Sequence, residues 1–226
     1  MVSLVAAAPS VTINFGKTLS KPSHSIVIFL ALSLIAVVPY LLVMVTGFTR
    51  TVIVLGLTRN AMGLTMPPNQ VLTGIALFLS LFMMSPVLSQ MNQVGLQPYL
   101  HGKASFSQAF DAAEKPLDSW MLAQTRTQDL TMLEAAAHQH PKKPTEAPLT
   151  TVIPAFLLSQ LESAFVIGFV IFVPFLVIDL LVSSTLMSMG MMMLPPTLIS
   201  LPFKILLFVV VDGWSLIVHA LLASPR

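Results

Sequence analysis

The sequence predicts an all-α membrane protein, two apolar helical hairpins flanking a small polar helical insertion. Three observations predict it. Of 226 residues, 55% are hydrophobic and only 9% charged, and the mean hydropathy is +0.87. A soluble domain of this size needs more polar surface. Four apolar stretches, at 26–46, 71–88, 164–187 and 203–222, each approach the roughly twenty residues that a helical span requires. Between the second and third the composition changes, and most of the charge falls there beside Pro98, Pro116, Pro141, Pro144 and Pro148. The chain thus divides into a polar N-terminal tail (1–25), a first hydrophobic helical hairpin (26–89), a soluble helical insertion (90–151) and a second hydrophobic hairpin with a Met-rich loop (152–226).

The tail has Pro9 and Pro22 but no helical stripe. Its apolar stretch, 2–8, is short for a signal peptide, and Lys17 and Lys21 follow it where a signal would carry its charge first. Ala6, Ala7 and Ala8 resemble the small residues of a cleavage site, so a start near a mature end and a start further upstream both fit.

Each apolar segment has a defect: Pro39 in the first, Pro86 late in the second, Pro174 and Asp179 in the third, Asp212 in the fourth. Proline removes a backbone donor, and in a membrane the freed carbonyls need partners from neighbouring helices or water, so these read as bundle helices. An acid at the centre of a span costs about 2.5–3.5 kcal/mol, while each Leu, Ile, Val or Phe returns roughly 0.3–0.6 kcal/mol, so these segments tolerate one carboxylate each. Such an acid faces the bundle interior or a water-filled cavity, which makes Asp179 and Asp212 candidates for a structural or functional role. The connection 47–70 carries Arg50 and Arg59 and no acid, favouring the cytoplasm, whereas Lys17 and Lys21 oppose that. Arginine beside an apolar segment usually anchors at the interface, and that is the expectation for both.

In the insertion, Phe106 and Phe110 share a helix face. Pro116 suits the first turn of a second short helix through Leu117, Trp120, Met121 and Gln124, and Asp129 suits the cap of a third through Leu130, Leu133 and Ala137. The stretch 140–148, with Lys142, Lys143 and Glu146 among three prolines, reads as a linker.

Five of the fourteen methionines fall within seven residues, Met187, Met189, Met191, Met192 and Met193, and Pro195 and Pro196 close the run. An unbranched thioether packs against almost any shape, so the cluster reads either as a deformable seal or as apolar filler.

Several function classes are excluded. Basic residues are scattered, with no run that could follow a phosphate backbone, so nucleic acid is not an expected partner. There is no cysteine. His138 and His140 form a pair without a third ligand at metal spacing, and no nucleophile elbow, Walker loop or dinucleotide fingerprint is present. Neither an enzyme nor a bound metal or cofactor is expected. A small-solute transporter would call for an inverted repeat across the two halves, and no convincing one is visible.

The run at 154–169, PAFLLSQLESAFVIGF, resembles a signature of the FliP family of flagellar biosynthetic proteins and their injectisome counterparts. PFLVIDLL at 174–181 is similar to its second signature, and MGMMMLPP (189–196), LPFK (201–204) and VDGW (211–214) to its C-terminal blocks. Upstream, FTR (48–50), RNA (59–61), PPNQVL (67–72) and MSPV (84–87) also match, with a more flagellar than injectisome-like character. The resemblance covers 26–222. Two positions depart from the pattern: Gln160 stands where the family usually has an acid, and Val166 where a polar residue is usual. Glu162, two positions along, lies on a different helix face.

The resemblance implies a core subunit of the type III protein export gate in the bacterial inner membrane and flagellar basal body, built from strongly kinked hairpins with much of the chain on the periplasmic side. It implies a homo-oligomer, a pentameric ring, joined by FliR-like and FliQ-like subunits and other export-apparatus membrane proteins. Its central channel passes unfolded protein substrates, and the insertion is implied to be a periplasmic helical domain that helps copies associate. On that reading Met191, Met192 and Met193 form a gasket around the channel axis, Gly190 gives the turn its freedom, and Pro195 and Pro196 end it. Asp179 lies twelve residues before Met191 and Lys204 twelve after Met192, so a hairpin turning here brings the two to one height as an ion pair or hydrogen-bonded contact, the alternative being that Lys204 snorkels toward a polar boundary. Asp212, before Gly213, is expected to accept backbone donors or to meet a neighbouring subunit.

Overall fold

The computed structural model describes residues 24–138, 147–191 and 194–223. Every regular element among them is helical. The chain divides into two compact units, Met1–Leu41 and Leu42–Arg226. The first is described only through helix α1, His24–Val45, which contains Pro39 and no charged residue. Its described side chains over 26–41 are exposed, and Ile28–Val45 is long and apolar enough to cross a membrane. A helix apolar on every side belongs in a lipid or protein environment.

The second unit is organised around a helix that hydropathy does not announce. The stretch 47–70, expected to be a connection, contains α2, Phe48–Ala61, with Arg50, Thr51, Val54, Leu55, Thr58 and Ala61 all buried. Its apolar side chains join Leu72 and Ala76 of α3 (Asn69–Met91), Ala164 and Phe175 of α7 (Leu149–Ser188), Phe208 of α8 (Pro196–Val210) and Ile217 and Leu221 of α9 (Gly213–Leu222) in one core. Thr51 and Thr58 are accommodated there because each hydroxyl donates to the carbonyl one turn back, Gly47 and Val54, at 2.8 Å. Where α2 meets α7, a Cβ on Gly168 would stand 2.3 Å from Leu57 Cδ1, so the close approach requires glycine.

Helix α3 does not stop where the polar composition begins. It runs through a π-helical turn, Asn92–Leu96, into the short α4, Gln97–Leu100, and Asn69–Leu100 is one of three helical stretches long and apolar enough to span. Beyond α4, the described residues of the insertion form two helices over the stretch where three were expected. Helix α5, Phe106–Ala123, starts in a capping box between Ser105 and Gln108 and continues straight through Pro116. Proline at that place removes one backbone bond, but the packed stripe that includes Ala109, Ala113 and Met121 carries the helix across it. Helix α6 is Thr127–Ala136, capped from Arg126, so Asp129 sits inside its first turn and is not the cap. A second core of Met121, Leu130, Val152, Ala155 and Phe156 fixes α5 and α6 to the start of α7, with Trp120 5.3 Å from the Phe156 ring.

With 40 residues, α7 is about 60 Å long, twice the bilayer's hydrocarbon thickness. Its N-terminal part therefore serves the insertion, and the expected apolar stretch 164–187 is only its second part. The fourth segment is not one rod. Helices α8 and α9 are bent by 62° at a break of two residues, Val211 and Asp212, and pass the length and hydropathy test for a span only as a pair.

The π turn packs against α5 with no space to spare: a Cβ on Gly95 would lie 2.7 Å from Ala113 Cβ and 2.8 Å from the Ala109 carbonyl oxygen. Because one obstacle is backbone, Gly95→Ala is expected to push the two apart and to destabilise the protein by about 1–3 kcal/mol, read as a lower melting temperature in detergent.

Candidate functional site

The second hairpin is built from the end of α7, a turn and the start of α8. Helix α7 ends in a Schellman arrangement in which the Met191 N–H donates to the Leu186 carbonyl and the Gly190 N–H to the Met187 carbonyl, each at 3.0 Å. Gly190 has φ +73°, and no atom lies within 4 Å of the place its Cβ would take, so glycine is needed here for its backbone and not for space. Pro195 then caps α8 and Pro196 occupies its first position, where a missing N–H costs nothing. Met187, Met189, Met191 and Leu194 are all exposed at this tip. Met192 and Met193 lie outside the described residues, as do His140, Lys142, Lys143 and Glu146.

Below the tip the two arms are fastened together. Lys204 Nζ lies 2.6 Å from Asp179 Oδ2, and Ser200 Oγ donates to Asp179 Oδ1 at 2.6 Å. The lysine also donates to the Ala61 carbonyl at 3.0 Å, at the end of α2. A cation there meets the negative end of the helix dipole and an otherwise unused carbonyl. One ammonium therefore ties α2, α7 and α8. Lys204 is 5% exposed and so does not snorkel to a polar boundary. Ser200 and Ala61 carry no sequence signal for this role, since each depends on a neighbour far along the chain.

Asp212 is a correction. Its side chain is exposed and makes no capping bond, so it is not a buried acid accepting backbone donors. What it contributes is its backbone, held at φ +50°, ψ +56°, with its N–H donating to Val209 and its carbonyl accepting from Leu216. Asp and Asn tolerate this left-handed conformation better than most residues.

Arg50 departs from the anchor expectation. Arg50 is 1% exposed, and its Nη2 donates to the Leu221 carbonyl at 3.2 Å and approaches Met83 Sδ at 3.9 Å. Burial lowers its pKa to about 10, which leaves it charged at neutral pH. Arg59 Nη1 donates to Asn69 Oδ1 at 2.6 Å and to the Pro67 carbonyl at 3.2 Å, folding the turn between α2 and α3.

A second polar knot joins the insertion to α7. Ser159 Oγ, fully buried, donates to Asp129 Oδ2 at 2.5 Å and accepts from the Arg126 N–H at 2.9 Å, while the Arg126 guanidinium pairs with Glu162. Gln160 is the exception beside it. It is 1% exposed, and among the described residues neither its Nε2 nor its Oε1 meets a partner.

Among the described residues there is no group of His, Asp and Glu placed to hold a metal ion; what the arrangement presents is an exposed turn on a hairpin whose arms are fastened together. A model of the FliP family matches residues 31–221, which takes in most of α1, the insertion, the hairpin and the elbow between α8 and α9. The chain belongs to the FliP family. It is 50% identical over 204 residues to the flagellar biosynthetic protein FliP of Bacillus subtilis (strain 168), covering 89% of this chain and 92% of that one. To the FliP of Aquifex aeolicus (strain VF5) it is 44% identical over 220 residues, 96% and 91% of the two chains. To that of Caulobacter vibrioides it is 42% identical over 226 residues, 99% and 85%.

Two outcomes test this reading of the hairpin and its long arm. Lys204→Met removes the ammonium and leaves the Asp179 carboxylate and the Ala61 carbonyl without their cation; Asp179 is open to solvent on one side, so the expected loss is about 2 kcal/mol, seen as a lower melting temperature in detergent. Gln160→Leu replaces a buried amide by an apolar side chain of similar size, and the same melting experiment should show a gain of about 1–3 kcal/mol.

Proposed function

We propose that this chain is a core subunit of the flagellar type III protein export gate, whose copies surround a central channel for unfolded flagellar proteins and close it with the Met-rich turn. It acts in flagellar biosynthesis, in the inner membrane and basal body, with the insertion on the periplasmic side. Its partners are further copies of itself, forming a pentameric ring, FliR-like and FliQ-like subunits, other export-apparatus membrane proteins and the exported chains. It has no catalytic role.

One observation carries the gating part. The turn between α7 and α8 is chemically soft but mechanically fixed: exposed Met187, Met189 and Met191 stand on a hairpin whose arms are held in register by Asp179, Ser200 and Lys204. Copies repeated about an axis would bring Met191, Met192 and Met193 together there. Thioethers pack against one another in many geometries at small cost, so such a ring closes when empty and yields to any unfolded sequence. The locked arms keep that yielding confined to the turn.

The exposed apolar surface supports an assembled state. Phe78 and Phe82 on α3, Phe165, Phe169 and Val170 on α7, and Val209 and Val210 on α8 are more than half exposed in the single chain. Surfaces of this extent are covered by lipid or protein.

The deciding experiment replaces Met191, Met192 and Met193 together by Ala in the full gate, reconstituted with its partner subunits into lipid bilayers. Truncating three flexible side chains per copy should raise the idle conductance to small ions several-fold while assembly is retained. An assembled triple variant with the parent's conductance would reject the gasket.

A further inference from the structure

Each end of α2 is tied to a different half of the broken pair α8–α9. At its C-terminus the Ala61 carbonyl takes the Lys204 ammonium of α8 at 3.0 Å. At its N-terminus the Arg50 guanidinium donates to the Leu221 carbonyl, in the last turn of α9, at 3.2 Å. Both contacts place a buried cation on the negative end of a helix, and they run in opposite directions, α8 capping α2 and α2 capping α9. Between the two tied halves lies the 62° bend with Asp212 in the left-handed region.

We infer that α2 is the strut that sets the elbow between α8 and α9, with Arg50 as its positioning residue. The lengths agree. At 1.5 Å per residue, Lys204 and Leu221 lie about 12 Å and 14 Å from Asp212, so a 62° bend leaves them about 22 Å apart and a straight helix about 26 Å. Arg50 and Ala61 are about 17 Å apart along α2, and the side-chain arms of Arg50 and Lys204 close the remaining few ångströms of the bent form. The elbow's backbone is unfavourable and its own contact is apolar, the Phe208 ring edge-on to Trp214 at 5.4 Å. Asp212 holds an unfavourable backbone conformation, its side chain caps nothing, and the Phe208 ring lies where a Cβ on Gly213 would be, 2.3 Å away. What opposes straightening is the pair of ties to α2, together with the core that Phe208, Ile217 and Leu221 share with α2 and the Phe208–Trp214 ring contact. The inference goes beyond the gate reading and does not depend on it.

The chain contains no cysteine, so two can be introduced without removing any. The positions are Leu198 on α8 and His219 on α9, both exposed, carrying spin labels in detergent-solubilised full-length protein. The parent should give one distance population, and Arg50→Met should broaden it and shift it outward by about 4 Å, the difference between a bent and a straight 198–219 segment. Arg50→Lys, which keeps a cation within reach of the Leu221 carbonyl, should retain the parent's distance even where Arg50→Met folds poorly. A parent-like distance in helical, monodisperse Arg50→Met overturns the inference, and so does an Arg50→Lys protein whose elbow has opened.

Discussion

A protonated amine almost removed from water persists only where its donors are used, and the Lys204 ammonium uses them on two other helices at once. The Asp179 carboxylate supplies the opposite charge, Ser200 occupies that carboxylate's other oxygen, and the Ala61 carbonyl adds the end of the α2 dipole. The rest of the second hairpin follows from this contact. It fixes how far along α7 each turn of α8 lies, and hence which residues remain to form the turn between them. It also brings α8 onto α2, the helix that already organises the apolar core.

The second hairpin has a stiff part and a soft part. The stiff part is polar: Asp179, Ser200 and Lys204 form directional contacts that lose energy steeply when displaced. The soft part is apolar and unbranched, and Met187, Met189 and Met191 interact by contact alone. Gly190 divides the two, since its left-handed backbone ends the helix abruptly and spares the turn from being an extension of it. A turn of β-branched residues on the same arms would be stiffer, and methionines on unfastened arms would have no fixed position.

The sequence made the hairpin legible and the helix it leans on illegible, for one physical reason. Apolar length, Gly190, the two prolines and the equal spacing of Asp179 and Lys204 from the methionines are all local or near-local features, and the structure brings those two charges within 2.6 Å. Helix α2 is short, carries Arg50, Arg59 and three threonines, and so reads as a polar connection. Its burial depends on partners more than a hundred residues away: Leu221 for Arg50, Lys204 for Ala61, and Gly168, whose missing side chain admits Leu57. The same holds for Pro116, which looked like a helix start until packing carried α5 through it, and for Asp212, whose role lies in its backbone.

Gln160 shows what a neutral residue does at such a place. A carboxylate buried to 1% exposure would need a cation beside it, and the nearby Arg126 guanidinium is already engaged by Glu162, with Asp129 3.8 Å from its Nε. An amide carries no charge to be compensated, so its burial costs about 1–3 kcal/mol in unmade hydrogen bonds, where an unpaired carboxylate would cost several times that or bind a proton. Glu162, two positions along α7, carries its negative charge half-exposed and paired with Arg126. The knot between insertion and α7 is thereby held by an ion pair at its rim and by Ser159 in its interior, and the core beneath it stays uncharged.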